Sequence, residues 1–446
     1  MSAELLTLFM FGGLLIGLFM GHPLAFVLGG VAVMAAYLGP GPQVLGSIIN
    51  NIYGRGMDNY VLVAIPLFIL MARFLNDSGV AEKMFATLRL LMARLRGGLA
   101  LTVVIVSVLL AATTGIVGAS IAVMGMIALA PMLRYNYDKR LSAGVIMASG
   151  TLGILIPPSI MLILMASYSG VSVGALFAGT IIPGLLLAAS YAIYVLVLCY
   201  FRPDYGPPAE ISEREQYTTA QLWAMLAKYV VPPLVLILGV LGTLFAGIAT
   251  ATEASAIGAT LAFVLFLVFG DRSPRTLYVT LLEASKTTTM VMFVLVGATA
   301  FTGVFSRGGG MQFVQDLLTA TPGGTVGALI VMLFLVFILG MFLDWTGIVL
   351  LSFPIMLPII DTLGVDELWF VVMTAVILQT SFLTPPFGYA LFYLKGVAPK
   401  GVEMVDLYRA VLPYCGLIVL VAILLSLFPG LVLGLPSLMV GYSGAW

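Results

Sequence analysis

Two consecutive prolines, Pro157-Pro158, interrupt an otherwise apolar segment, and a second pair, Pro385-Pro386, interrupts another 228 positions further on. No regular helix runs through such a pair. Each proline lacks an amide donor, and each pushes the residue before it out of the helical region. The spacing belongs to a longer pattern. Sliding the chain by 227 positions lays Gly118-Ala119-Ser120 on Trp345-Thr346-Gly347 and Pro131 on Pro358. One inserted residue, Val365, raises the offset to 228; Asp138 then meets Asp366 and the proline pairs coincide. Upstream, Gly97-Gly98 falls within one residue of Gly323-Gly324. Identity between the halves is low, yet turn and break residues coincide over roughly a hundred positions, as in paired, discontinuous membrane helices.

Composition identifies the solvent. The 446 residues are 61% hydrophobic and 9% charged, which no water-soluble chain of this size could accommodate. The formal net charge is zero, so nothing recommends nucleic acid as a partner. Cys199 and Cys415 sit inside apolar segments, which argues against a disulfide or a metal site. The single His22 stands between Gly21 and Pro23 at a segment end, a turn residue rather than a ligand. The opening Met-Ser-Ala-Glu lacks a basic region, which argues against a cleaved signal peptide. No Cys/His cluster, phosphate-cradling loop or carboxylate pair at fixed spacing is present, so an enzyme is not expected. Energy for any transport must come from an ion gradient or another subunit.

Stretches of about 20 apolar residues cross a bilayer core. In the first half they lie at 4–21, 23–39, 59–76 and 174–201, with a helical hairpin at 98–134 and a broken span at 140–168. In the second half they lie at 229–249, 252–270, 287–305 and 408–429, with a hairpin at 325–360 and a broken span at 367–395. Residues 203–217 form a polar, proline-rich cytoplasmic linker between a first repeat, 1–202, and a second, 218–446. Each half has five crossings plus a hairpin that enters and leaves on one side. Five is odd, so the second half is upside-down. The expected fold is an all-α membrane protein of two inverted-topology repeats, each with five spans (one broken) and one re-entrant hairpin. With the N-terminus outside, 17 of the 19 Lys and Arg residues, all but Arg55 and Arg307, face the cytoplasm. The first hairpin then opens from the cytoplasm and the second from the periplasm.

Residues 79–96 place Val80, Met84, Leu88, Leu91 and Leu95 on one face, with Lys83, Arg89, Arg94 and Arg96 largely off it. This reads as a basic amphipathic helix at the cytoplasmic interface. A shorter counterpart follows Gly310, with Phe313, Val314, Leu317 and Leu318. Both fit lateral arms between a fixed and a moving part, and both fit interfacial helices with no mechanical role.

Non-helical backbone survives inside a membrane only where it is buried in protein or lines a cavity. The carbonyls freed at Pro157-Pro158 and Pro385-Pro386 are candidate oxygen ligands for a hard cation. Ser149, Thr151 and Ser159 surround the first break; Thr380, Ser381 and Thr384 surround the second. The hairpin tips, Gly115 to Ser120 and Asp344 to Gly347, are expected to approach these breaks. Bare helix N-termini there attract carboxylates, while carbonyls attract sodium. A single Pro-Pro is read as a structural kink; two at matching positions, each with hydroxyls and a glycine-rich partner, favour function. Asp344 is a functional candidate as an intramembrane carboxylate, with pairing to Arg307 as the structural alternative. Arg307, heading an Arg-Gly-Gly-Gly turn, fits an anionic substrate or a lipid phosphate. Glu253 fits a helix cap.

At these residues the chain resembles the large membrane subunit of TRAP (tripartite ATP-independent periplasmic) transporters. The resembling pieces are GASIAVMGMIALAP at 118–131, the lead into PPS at 157–159, LFAGTIIPG at 176–184, ATATEASAIGA at 249–259, GMFLD at 340–344 and LTPPFG at 383–388. DWTGI at 344–348 is similar to the branch associated with keto acids and related organic acids. The resemblance implies an elevator-type secondary transporter in a bacterial or archaeal inner membrane. It implies a separate small four-span membrane subunit, a periplasmic substrate-binding protein and coupling to sodium, with no other metal and no organic cofactor. Sodium ligands then map onto Gly118, Ser120, Ser149 and Ser159, beside Gly115 and Pro157 at the first tip and break. At the second they map onto Thr346, Thr380 and Thr384, beside Asp344, Gly347 and Pro385. Arg307, Asp344, Ser120 and Ser381 are the expected substrate contacts. The competing reading is a stand-alone ion-coupled carrier of the same superfold, similar to the divalent-anion symporters, needing no binding protein. An intramembrane enzyme or passive channel lacks a nucleophile–base set and a polar stripe.

Overall fold

The computed structural model describes residues 2–208, 214–386 and 388–439. Residues 209–213 of the expected linker, and Phe387 beside the second proline pair, lie outside the described residues. Every regular element among the described residues is helical. A helix pairs its own backbone groups, which is what a lipid solvent demands.

The first half runs α1 (Ala3–Phe19), α2 (Leu24–Leu38), α3 (Val44–Asn51), α4 (Ala64–Asp77), α5 (Val80–Met92), α6 (Gly98–Thr114), α7 (Val117–Met124), α8 (Ala130–Arg134), α9 (Lys139–Thr151), α10 (Ile160–Ser169) and α11 (Val173–Phe201). The second runs α12 (Thr219–Tyr229), α13 (Val231–Phe245), α14 (Ala251–Phe269), α15 (Pro274–Arg307), α16 (Gly310–Thr319), α17 (Gly324–Gly340), α18 (Trp345–Thr362), α19 (Glu367–Leu383), α20 (Tyr389–Val397), α21 (Met404–Leu427) and α22 (Gly430–Leu433). A π-helical turn, Gly125–Leu129, joins α7 to α8 as one arm. Eight helical stretches among the described residues are long and apolar enough to cross a bilayer.

Several boundaries differ from the sequence-based expectation, each for a local reason. The segment expected at 287–305 is the last part of α15, which starts at Pro274 because the Ser273 side chain accepts from Thr276 N and Pro274 needs no amide partner. Upstream of the 229–249 segment lies α12, opened by a Thr218–Gln221 capping box and separated from α13 at Val230. Helix α3 was not anticipated. The start of the expected linker is docked: Gly97 N–H donates to Gly206 O at 2.8 Å and Asp138 N–H to Tyr205 O at 3.0 Å. The amphipathic segment ends as a helix at Met92. Its Val80, Met84 and Leu88 are buried against protein, in contact with α6 and α12, while Leu95 is exposed. Its apolar face is therefore covered by protein, not lipid.

The helices group into two bodies. In one, α4 packs on α14, α2 on α15, α1 on α2 and α13 on α14. In the other, α9 packs on α6 and α21, and α19 packs on α17 and α21. The second body contains both hairpins, α6–α8 and α17–α18, and both broken spans, α9–α10 and α19–α20. The bodies meet chiefly through α15 on α18 and α4 on α6 and α10.

The two halves start these elements alike. Asp138 caps α9, its Oδ1 accepting from Arg140 N and Leu141 N; Asp366 caps α19, accepting from Trp369 N. Gly97 and Gly323 open the hairpins in left-handed conformations, with φ of 75° and 98°. Below the first hairpin Tyr137 OH accepts from Leu99 N at 3.2 Å, and burial pushes its phenol up to about 12, so it stays protonated.

Candidate functional site

Helix α9 ends at Thr151, tightens through a 3-10 turn at Leu152–Ile154 and stops at the prolines; α10 resumes at Ile160. Helix α19 ends at Leu383 and α20 resumes at Tyr389. Both X-Pro peptides, Pro157-Pro158 and Pro385-Pro386, are cis. Beside each break a hydroxyl ties the interrupted chain to itself. Ser159 Oγ donates to Ile154 O at 2.9 Å, and Thr384 Oγ1 donates to Thr380 O at 2.7 Å.

Each hairpin tip leans on its own break. Gly115 has φ 58°, and a Cβ there would lie 2.9 Å from Ile160 N, so the tip touches the first residue of α10. A Cβ on Gly153 would lie 3.5 Å from Ser120 Oγ, placing Ser120 against the 3-10 turn. At the second tip Tyr389 OH donates to Phe342 O at 3.0 Å, and a Cβ on Gly340 would lie 2.7 Å from Ser381 Oγ. The breaks also meet each other's elements: α20 packs on α7 and α9, and α10 packs on α18. Gly118 faces the Tyr393 ring, whose nearest atom would stand 2.5 Å from a Cβ.

Ser149 Oγ and Thr380 Oγ1 are buried side-chain oxygens with no hydrogen-bond partner among the described residues. A buried hydroxyl without a partner carries an uncompensated desolvation cost. Two such oxygens, one beside each interruption, are what a cation cage supplemented by backbone carbonyls requires. Among the described residues no group of three or more His, Cys, Asp or Glu could hold a metal ion; hydroxyls and carbonyls of this kind suit a hard cation.

Asp344 has a structural use the sequence did not disclose. Its Oδ1 accepts from Gly347 N at 3.1 Å, capping α18. At the equivalent start of α7 the cap position holds Ile116, which offers no side-chain acceptor, so this end is without a side-chain cap.

Arg307 is not brought to the other expected substrate contacts. A Cβ on Gly308 would meet Leu6 near the start of α1, whereas Phe342 at the second tip makes an edge-to-face contact with Phe19 at the end of α1. The thirteen helical steps from Leu6 to Phe19 span about 20 Å. Among the described residues no ion pair joins Arg307 to Asp344. Arg307 instead lines a cavity of about 930 Å³ between the two bodies, with Asp58, Thr302, Ser167, Asp361 and Glu367. Glu253 completes a capping box, its Oε2 accepting from Thr250 N at 2.8 Å, so it serves as a cap.

Sequence reasoning missed Gln379, Tyr389 and Tyr393. Gln379 was open to detection, because the offset of 228 pairs it with Thr151, and the two side chains touch at 3.2 Å.

Residues 11–431 match the family model described as "Tripartite ATP-independent periplasmic transporter, DctM component". The chain is 29% identical to a C4-dicarboxylate TRAP transporter large permease protein of Vibrio cholerae serotype O1, covering 99% of both chains. It is 30% identical to a sialic acid TRAP transporter large permease protein of the same organism, over 87% of this chain and 88% of the relative. Among solved structures, the YdaH transporter of Alcanivorax borkumensis superposes with a TM-score of 0.63 at 17% identity, covering 96% of this chain and 98% of that one.

Proposed function

Because the chain belongs to the DctM component family of tripartite ATP-independent periplasmic transporters, and is thus a multi-pass membrane permease and no enzyme, we propose that it imports small organic acids by a sodium-coupled elevator movement. The observation that carries this reading is the pair of breaks, each faced by its own hairpin tip and each flanked by a buried hydroxyl without a partner. Carbonyls and hydroxyls at Gly115, Gly118, Ser120, Ser149, Pro157 and Ser159 would hold one sodium. Those at Asp344, Thr346, Gly347, Thr380, Thr384 and Pro385 would hold a second. Binding two cations offsets the cost of bringing a carboxylate into a low-dielectric site. The uncapped N-terminus of α7 supplies amide donors for that carboxylate. The relatives named above carry C4-dicarboxylates and sialic acid, and organic acids are the class carried over here.

Two inverted repeats with the N-terminus periplasmic account for the matching elements and for the charge bias. In that orientation the end of α1 and the start of α2 are cytoplasmic. The second tip lies there, with Gly347 against Leu24 and Phe342 against Phe19. The cavity containing Arg307 then lies on the periplasmic side, and it is the space into which the hairpin-bearing body would rise. Such a movement carries the tip toward Arg307, which would meet the incoming anion there. The family implies a small membrane subunit and a periplasmic binding protein; here both would be separate chains.

Reconstitution tests the reading. Uptake of labelled organic acids into proteoliposomes should require this chain, the small subunit and the cognate binding protein, and should stop when external sodium is replaced by potassium. Uptake by this chain alone would favour a stand-alone symporter. Uptake indifferent to sodium would refute the coupling.

A further inference from the structure

Thr151 and Gln379 occupy corresponding positions of the two halves, 228 residues apart, and their side chains touch. Thr151 Oγ1 lies 3.2 Å from Gln379 Oε1. If the halves are inverted repeats, corresponding residues can touch only where both lie close to the axis relating them. Both side chains are fully buried. Gln379 Nε2 has no partner among the described residues. Burying an unpartnered amide donor opposes folding, and a leucine of similar volume would fill the place without that cost. Packing alone therefore does not account for a glutamine here.

The Thr151 hydroxyl also lies 2.8 Å from Ala148 O, one turn back on its own helix. A hydroxyl has one proton to donate, so it serves either its own helix or the opposite half. The exchange needs only a rotation about one bond. Thr151 is the last residue of α9 before the first break, two after Ser149. Gln379 immediately precedes Thr380 on α19. The contact thus joins the two helical leads whose carbonyls and hydroxyls run directly into the proposed ion sites.

We propose that the Thr151–Gln379 contact is a positioning pair that couples the two sodium sites, so that filling one orders the other. The proposal rests on the sodium-coupled reading above. Sodium drawing in the carbonyls at the end of α9 shifts the Thr151 proton between its two acceptors. That shift changes the hold on the second lead, so the second cation finds its cage already partly ordered. Neither residue need touch an ion.

The test is a sodium titration of the purified full chain in lipid nanodiscs, with potassium holding ionic strength constant. Tryptophan fluorescence provides the readout, since Trp345 stands at the second tip. Wild type is expected to respond with a Hill coefficient above one. Thr151→Val keeps the shape and removes the donor; it is expected to bring the coefficient to one and raise half-saturation about fivefold or more. Thr151→Ser retains the hydroxyl and should restore cooperativity. Gln379→Leu should match Thr151→Val, and the double variant should be no worse than either. Wild-type cooperativity in Thr151→Val, or additive losses in the double variant, would overturn the coupling. A wild-type coefficient of one would do the same while leaving two independent sites. A chain blind to sodium would instead remove the transport reading itself. Should Gln379→Leu not fold, the serine–valine comparison at Thr151 decides alone.

Discussion

The two hairpin tips share a frame and differ in what fills it. The first tip turns at Gly115, carries no charged residue and starts α7 without a side-chain cap. Its neighbours, Ile160 and Tyr393, belong to its own body. The second tip starts α18 with the Asp344 carboxylate already bound to Gly347 N, and it presses Phe19 and Leu24 of the other body. A helix N-terminus attracts one anion readily. At the second tip the protein has supplied that anion; at the first it has not. Under the proposed transport reading, the first tip would form the inner wall of the site and the second the surface that slides.

The largest test of this comparison is sodium itself. With two sites and sodium at a hundredfold excess over its dissociation constants, linkage predicts about 5 kcal/mol of stabilisation. Replacing sodium by potassium should lower the thermal midpoint accordingly. Ser149→Ala and Thr380→Ala should each remove about half of that effect; a loss confined to one of them would leave a single site. Next in size is Gly115→Ala. It forces a side chain into a left-handed conformation with Cβ 2.9 Å from backbone, and should cost about 2 kcal/mol. In Gly347→Ala the new Cβ meets side chains rather than backbone, the end of Leu24 and, at 3.3 Å, Asp344 Oδ1; it should change the midpoint less than Gly115→Ala does while slowing transport, since on the proposed reading it stands at the sliding surface. Equal destabilisation by the two would erase the distinction between wall and slide.

Asp344 separates cap from charge. Asp344→Ala should cost about 1 kcal/mol in thermal unfolding, whereas Asp344→Asn keeps a good cap and should cost only a few tenths. Loss of sodium-driven uptake in the asparagine variant, at near-native stability, is the expected result; full uptake would reduce Asp344 to a cap. The smallest structural effect belongs to Arg307→Gln. Arg307 is exposed in the cavity and makes no ion pair among the described residues, so stability should not change measurably. Uptake should slow without any shift in sodium half-saturation, measured in the three-component system.

Much of the fold was legible because lipid leaves the backbone few choices. Apolar runs marked most crossings, Pro-Pro marked both interruptions, and Asp138 and Asp366 marked where the broken spans begin. Helix ends were less legible where polar residues extend a span. Ser273 and Pro274 carried α15 well beyond its apolar part, and the Thr218–Gln221 capping box added α12. Nothing in the polar composition of the linker marks that Tyr205 and Gly206 accept hydrogen bonds from the bases of α9 and of the first hairpin.

By itself the sequence determined the helical class, the positions of both breaks and the hydroxyls around them, since these depend on residue type and local spacing. Tertiary structure alone decided that Asp344 caps α18, that Gly308, next to Arg307, lies by the start of α1 and the second tip by its end, and that Thr151 reaches Gln379. Each of those facts depends on how far one helix is displaced along another. Apolar helices grip neighbours through close packing, and composition does not record that displacement.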